Sequence, residues 1–265
     1  MIWEEIFASG DTSYSESGKT QNQLFELVKL RFLITIFPKK HSLILEVGCG
    51  AARTSLYFAK RGHETTLLDQ SDEVLKIAKE NYKKEKAKGK FVVGDAEKLP
   101  FDSNQFDVVM SFGLLEHFRK PEIVITEMVR VLKPGGLFFA DIVPKRFSVQ
   151  SIGNVINFIF SIIYWTIKLK PLVGIKRGMR NFRPLYYENA LSWMKYKKIM
   201  EEAGAKGIKV RGNRPWPRLT LPMAADRLYA GVLKPTMLFW RKFDTWDNFF
   251  PRFWGAGWWF WGIKR

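Results

Sequence analysis

An alternation of strand and helix patterns between residues 43 and 143 constrains the fold of this 265-residue chain more than any other feature. Short apolar runs typical of buried strands alternate with segments of helical periodicity. Ser71 is predicted to cap the helix after the second run, and Pro121 to open the helix after the fourth. Because parallel strands need crossover connections, this order predicts a doubly wound α/β fold with a mostly parallel sheet. The five runs are LILEVG, HETTLLD, FVVGD, FDVVMSF and LFFADIV.

The alternation ends after Asp141, where a long apolar stretch follows. Residues 151–167 are apolar over 17 positions but include Asn154 and Asn157. The stretch is slightly short for a membrane span, and a bilayer would not satisfy its two amides. We therefore expect a buried or interfacial helix in preference to an inserted one.

Two further strand patterns, GIKVRG and GWWFWGIK, lie near the carboxyl terminus, and the first follows a helix pattern that stops at Gly204. The segment from Asn213 to Ala256 lies between them and is too long for a hairpin loop. It is therefore predicted to be an insertion.

The positive charge is concentrated in the second half of the chain. Residues 1–150 carry 22 Lys and Arg against 20 Asp and Glu, whereas residues 151–265 carry 21 against 6. Seven of the ten tryptophans lie at or after Trp216. A basic and aromatic half indicates an anionic or amphiphilic partner.

Polar or small residues follow the predicted strands where a doubly wound sheet binds its ligands, beyond the carboxyl ends. The first strand leads into Glu46-x-Gly48-Cys49-Gly50, in which the glycines let a ligand approach the backbone. Arg53 stands where the dinucleotide fingerprint requires its third glycine, so that fingerprint is excluded. The other strand ends carry Asp69, Asp95 and the run Ser111-Phe112-Gly113.

Five motifs in this order resemble those of the class I S-adenosylmethionine-dependent methyltransferases. The likeness is to the small-molecule branch, typified by quinone-biosynthesis C-methyltransferases and the type 11 domain, and it covers about residues 40–143. Each motif is weak alone, but the five in order are specific. They are E-x-G-x-G, an acid ending the second strand, G-D-A, F-D-V-V-x-S and L-K-P-G-G.

The resemblance implies S-adenosylmethionine as the cofactor, no metal, and a role for each strand end. Gly48, Cys49 and Gly50 would pass beneath the methionine part, with Glu46 behind them, orienting backbone or water near the cofactor's amino group. The family commonly has glycine where this chain has Ala52, whose methyl group narrows the loop. The remaining cofactor-binding residues implied are Asp69 and Gln70 at the ribose, Asp95 and Ala96 at the adenine, and Ser111 or Phe112 at the ammonium group.

The resemblance also implies a Rossmann-like sheet of seven strands with an antiparallel last strand, and we interpret residues 1–265 as one domain. Its predicted parts are amino-terminal cap helices at 1–40, a cofactor-binding core at 41–143, insertions at 144–185 and 213–256, and the last strand at 257–265.

His117, which follows the fourth strand, is the candidate general base or acceptor-positioning residue, since a methyl acceptor that must lose a proton needs a base. A structural role, bonded to the backbone, is the alternative for His117. Glu116 is a weaker candidate and Tyr14 weaker again. Arg53 is open to either a ligand contact or a structural ion pair. His41 and His63 precede strands, so they are expected at the far end of the sheet.

The predicted acceptor is a hydrophobic or amphiphilic small molecule, such as a lipid or quinone, recognised by the apolar, aromatic and basic segments outside the core. The lone Cys49 lies in the cofactor loop, which argues against cytosine C5 methylation. RNA binding and a catalytically inactive scaffold remain alternatives, although nucleic acid is disfavoured. The chain begins without a signal-peptide pattern, so a cytoplasmic location is expected, with attachment to the anionic inner face of the membrane left open.

Overall fold

The computed structural model describes residue 4 and residues 12–182 and 186–265. Within these residues one sheet of seven strands has the order β3-β2-β1-β4-β5-β7-β6. β7 runs antiparallel to both of its neighbours, whereas β1 to β5 pair in parallel. The predicted doubly wound sheet with an antiparallel last strand is thus confirmed. The strands are β1 Leu43–Val47, β2 Glu64–Asp69, β3 Lys90–Val93, β4 Phe106–Phe112, β5 Leu132–Ile142, β6 Ala205–Asn213 and β7 Gly257–Lys264.

Helices cover both faces of the sheet. Leu45 and Val109 point into the core beneath α4 and α7, and their neighbours Ile44 and Val108 point into the core beneath α1 and α9. Successive strand residues face opposite sides of a sheet, so the uninterrupted apolar runs are buried on both. The helices are α1 Gln21–Ile36, α2 Arg53–Ala59, α3 Asp72–Lys84, α4 Pro121–Val131, α5 Val149–Ile167, α6 Pro171–Met179, α7 Trp193–Glu202, α8 Met223–Leu233, α9 Met237–Thr245 and α10 Phe249–Trp254.

The two predicted helix starts are confirmed. The Ser71 hydroxyl accepts a hydrogen bond from the Val74 amide and caps α3, and Pro121 is the first residue of α4. The strand predicted as LFFADIV is longer than expected, because β5 already begins at Leu132 and includes the KPGG turn.

The apolar stretch at 151–167, for which a buried or an interfacial helix was expected, lies within α5 and is buried over only a small part of its length. Only Val149, Gly153 and Asn157 of α5 are buried. α5 packs mainly against α6, so the two form a hairpin with apolar side chains left exposed. Among the described residues, no helix is long and apolar enough to cross a membrane.

The amides within the stretch hold the two insertions together. Asn157 donates to the Arg218 carbonyl at 3.3 Å and accepts from the Thr220 amide at 2.8 Å. Of the predicted cap helices at 1–40, α1 lies in the described part of the chain, and the segment before residue 12, apart from residue 4, lies outside it.

Candidate active site

The loop after β1 turns sharply through residues with left-handed backbone. Gly48, Gly50 and Ala52 have φ angles of +66°, +53° and +53°. A Cβ on Gly48 would lie 2.6 Å from a methyl carbon of Leu114, so glycine is required there for space as well as for conformation. Ala52 adopts the same backbone region with a side chain, which costs about 1–2 kcal/mol. Its strain is the structural consequence of the departure from glycine.

Asp69 ties this loop to the end of β2. Its carboxylate accepts hydrogen bonds from the Gly50 amide at 3.0 Å and from the Ser71 amide at 3.2 Å. Burial raises the pKa of the Asp69 carboxyl, and the backbone donors offset part of that rise. Each carboxylate oxygen keeps further acceptor capacity, so Asp69 can also bind a pair of ligand hydroxyls.

Glu46 and Cys49 lie behind the loop. The Glu46 carboxylate accepts from the amide and hydroxyl of Ser55 in α2, and burial raises its pKa to about 7. Cys49 is buried in a core cluster, where its burial raises the thiol pKa. Neither side chain lines the cavity in front of the loop, so their contribution is to hold the loop and α2 in place.

That cavity, which we call the glycine-loop cavity, has a volume of about 310 Å³. Two predicted groups meet there from the ends of β2 and β3, Asp69 with Gln70 and Asp95 with Ala96. Asp95 accepts from the Glu97 amide at 2.8 Å, which fixes its turn. The full lining is Gly48, Gly50, Leu68, Asp69, Gln70, Gly94, Asp95, Ala96, Phe112, Gly113, Leu114, His117 and Phe118.

This lining fits the cofactor that the sequence implies. The lining combines glycines, apolar side chains and the carboxylate of Asp69 at the end of β2, which can accept hydrogen bonds from hydroxyl groups. Phe112 lines the cavity, but Ser111 is buried behind it, and its hydroxyl has no partner among the described residues.

A second cavity, of about 770 Å³, adjoins the first. Both are lined by Phe112, Gly113 and His117. Much of the rest of its wall comes from α1, the start of α2, β5 and the two predicted insertions. Five arginines on this wall give the arginine-lined cavity its name here. They are Arg53, Arg146, Arg180, Arg214 and Arg218.

His117 lies on the shared wall, in a short 3₁₀ turn. Its Nδ1 donates to the Tyr187 carbonyl at 2.9 Å, and the Gly113 carbonyl also contacts the ring. Burial lowers the pKa of His117, so its ring is neutral at pH 7. These backbone bonds are those expected from the structural alternative, and they hold the ring at the wall that the two cavities share.

Glu116 faces the arginine-lined cavity and is the more reactive group. Its Oε1 accepts from the Val143 amide at 3.0 Å, and its buried Oε2 has no partner among the described residues. Burial raises the pKa of Glu116 to about 8. A carboxyl with its pKa near neutrality beside a ligand cavity is suited to proton transfer.

The other candidates lie elsewhere. The Tyr14 hydroxyl donates to Glu16 at 2.5 Å, and Tyr14 lines neither cavity. His41 and His63 are at the amino ends of β1 and β2, as predicted. Within the described residues, no group of three metal-binding side chains comes together.

Several lining residues had no signal in the sequence. Leu114 and Phe118 are ordinary apolar residues of the turn after β4. Arg214, Arg218 and Asp244 belong to an insertion without a motif, and the prediction of that insertion as acceptor-binding was the only indication of their role.

Comparison with known proteins finds matches for the segment that contains most of the glycine-loop cavity lining. Residues 45–140 match a family described as a methyltransferase domain. Ubiquinone biosynthesis O-methyltransferase of Coxiella burnetii is 29% identical over 135 residues, which are 51% of this chain and 58% of that protein. Phthiotriol/phenolphthiotriol dimycocerosates methyltransferase of Mycobacterium tuberculosis is 40% identical over 110 residues, 39% of this chain and 38% of that protein. The chain thus spans less than two thirds of these relatives.

A solved structure supports the fold over a longer range. Phosphoethanolamine N-methyltransferase 2 of Haemonchus contortus, in complex with phosphomonomethylethanolamine and S-adenosylhomocysteine, superposes with a TM-score of 0.56. The alignment covers 89% of this chain and 52% of that one at 18% identity, so it speaks for the fold alone.

Proposed function

We propose that this chain is a class I S-adenosylmethionine-dependent methyltransferase and that it methylates a hydrophobic or amphiphilic small molecule. Its fold and the methyltransferase domain matched at residues 45–140 support this proposal. The cofactor is S-adenosylmethionine, bound in the glycine-loop cavity. The acceptor binds in the arginine-lined cavity. The relatives named for ubiquinone biosynthesis and for phthiotriol support an apolar acceptor.

The observation that carries this proposal is the wall that the two cavities share. Phe112, Gly113 and His117 border both. Methyl transfer is an in-line displacement, so donor and acceptor must approach each other through one opening. Two adjoining cavities of unequal size meet this requirement.

When bound, the cofactor supplies an electrophilic methyl group on a sulfonium, and the S–CH₃ electron pair stays with the departing sulfur. The chain's own residues position the reactants and exclude water. Asp69 would hold the ribose hydroxyls, and the glycines would allow close approach of the backbone. His117 would orient the acceptor at the shared wall.

Glu116 would take the proton that the acceptor loses as the new bond forms. Its Oε2 is unpaired among the described residues, and the Val143 amide fixes the other oxygen. An acceptor that carries no proton at the methylated atom would not need this step.

We further propose that the acceptor is collected at an anionic membrane surface by the α5–α6 hairpin. Ile159, Ile163 and Ile167 are 47%, 51% and 77% exposed on α5. Basic residues follow on the connection and on α6, and such a combination suits a helix lying in a lipid interface. They are Lys168, Lys170, Lys176, Arg177 and Arg180.

Isothermal titration calorimetry with S-adenosylmethionine tests the cofactor assignment. The wild-type chain is expected to bind, and Asp69→Ala to lose at least about tenfold in affinity, since hydrogen bonds to a charged group contribute about 1.5–3 kcal/mol. Asp102→Ala, which removes an exposed carboxylate outside both cavities, is the control. Absence of heat with the wild-type chain would favour an inactive scaffold.

RNA binding is the second class of function that the basic surface allows, because aromatic and basic side chains also bind single strands. It predicts tight, salt-sensitive binding of RNA without binding of anionic vesicles. The opposite result supports the membrane proposal.

A further inference from the structure

The arginine-lined cavity has an excess of positive charge. Seven Lys and Arg line it against five Asp and Glu. Two of the acids, Glu116 and Asp244, are buried, and burial raises the pKa of both, which favours their neutral forms. Glu26 is already paired with Lys29 at 2.9 Å. Cationic side chains therefore outnumber anionic ones on the wall of this cavity.

Arg218 is one of the cations on this wall whose guanidinium can reach a ligand. Its side chain keeps an exposed surface, and that surface faces the cavity. Among the described residues, no carboxylate lies within 4.0 Å of its guanidinium, and its hydrogen bonds run through its backbone. Its amide donates to Gln150 at 2.8 Å, and its carbonyl accepts from Gln150 and Asn157. The backbone is thus held while the guanidinium is left for a ligand.

Arg214 and Arg53 stand near it. Arg214 donates from Nε to Asn213 at 2.8 Å, and its Nη2 is buried without a hydrogen bond among the described residues, 3.6 Å from Asp141. Arg53 begins α2, the helix held by the glycine loop. The surrounding protein atoms of the cavity desolvate Arg218 although its side chain keeps accessible surface, and this desolvation, followed by repulsion from Arg53 and Arg214, lowers its pKa. Because arginine stays protonated in proteins, a bound anion rather than proton loss relieves that repulsion.

We propose that the acceptor carries an oxyanion, a phosphate or a carboxylate, which Arg218 binds together with Arg214 and Arg53. A planar guanidinium pairs with either group through two parallel hydrogen bonds. Asp244 has its Oδ2 without a hydrogen-bond partner among the described residues, and it can donate a further hydrogen bond when it is protonated, the form that its burial favours. The substrate class becomes an anionic amphiphile, such as a lipid phosphate or a fatty acid. This inference rests on the proposed function, because it places the acceptor in the arginine-lined cavity.

Calorimetry with three probes of equal chain length tests it: decyl phosphate, decanoate and decanol, each below its critical micelle concentration and at physiological salt. At least one anionic probe is expected to bind at least about tenfold more tightly than decanol. The stronger of the two anions identifies the group. Equal affinity for decanol and both anions would overturn the inference.

Variants locate the binding. Arg218→Gln should weaken the anionic probe by about tenfold or more and leave decanol unchanged. Arg218→Lys keeps the charge but not the two parallel hydrogen bonds, so its affinity for the anionic probe should lie between those of the wild-type chain and Arg218→Gln. If circular dichroism shows that Arg218→Gln is unfolded, Arg218→Lys takes its place. Arg227→Gln, an exposed arginine on α8 outside the cavity, is the control. Unchanged anion affinity in the Arg218 variants contradicts the inference.

Titration of S-adenosylmethionine into the same samples distinguishes failure of the oxyanion inference from failure of the proposed function. Binding of the cofactor without selectivity for anions would leave the proposed function intact and reject the oxyanion site. Absence of cofactor binding would reject the proposed function itself.

Discussion

At the scale of single residues, the site depends on a few backbone and carboxyl groups in unusual states. Gly48, Gly50 and Ala52 bend the loop through left-handed conformations, and Asp69 fixes it to the next strand. Glu116 is a buried carboxyl with its pKa raised to about 8. The glycines and Asp69 could be predicted because they recur in a known motif. The state of Glu116 could not, since its environment comes from distant parts of the chain that meet only on folding.

Gly48→Ala should reduce affinity for S-adenosylmethionine by at least about tenfold, because the new methyl group has no space beside Leu114. Gly62→Ala is the matched control. Gly62 has a φ of +88°, but a Cβ there meets nothing within 4 Å. Both variants should lose about 1–2 kcal/mol of stability through backbone strain, measured by urea unfolding. Equal cofactor affinity in the two variants would show that space at Gly48 is irrelevant.

Glu116→Gln should lower the turnover of methyl transfer by about 100-fold or more if Glu116 is the base. In the wild-type chain, activity should rise with pH and level off above about 8, since the carboxyl with its raised pKa acts as a base only when it is deprotonated. Glu122→Gln, at an exposed position in the first turn of α4, is the control. Normal turnover and an unchanged pH profile in the Glu116→Gln variant would exclude this role.

At the scale of elements, the sequence predicted the parts that local pattern determines. The seven strands, the cap at Ser71 and the start of α4 at Pro121 were foreseen because each depends on neighbouring residues. The sequence left open whether α5 is buried or interfacial, because an apolar segment has the same pattern whether protein or another partner covers it. Its packing mainly against α6 is a tertiary result.

The α5–α6 hairpin is expected to bind anionic vesicles. Replacing Ile163 and Ile167 by Glu should abolish co-sedimentation with vesicles containing phosphatidylserine, because apolar burial and attraction to anionic lipid are lost together. Leu228→Glu, at a position 72% exposed on α8, is the control. Binding to the vesicles should also weaken as the salt concentration rises. Salt screens the attraction between the anionic surface and each nearby Lys or Arg, which contributes about 1 kcal/mol. If the double variant still sediments with the vesicles, the hairpin is not the membrane-binding segment.

At the scale of the whole molecule, a nearly neutral first half, residues 1–150, and a basic second half together line the arginine-lined cavity. The charge asymmetry was visible in the sequence, and it pointed to the segments outside the shared core. The cavity itself was not visible, because Arg53, Arg146 and Arg218 come from distant parts of the chain and meet only in the folded protein. The sequence thus pointed to the cofactor and to the general character of the proposed acceptor, and the arginines of the folded cavity are the basis for proposing that the acceptor is anionic.

The central claim is methyl transfer to an amphiphilic acceptor, and the direct measurement uses S-adenosylmethionine with a deuterated methyl group. The chain is incubated with this cofactor and a total lipid extract, and the products are analysed by mass spectrometry. We expect at least one lipid-soluble anionic species to gain a single deuterated methyl group. This product should be lost when the Asp69→Ala variant replaces the wild-type chain. A chain that binds the cofactor but labels only water-soluble molecules or RNA would contradict it.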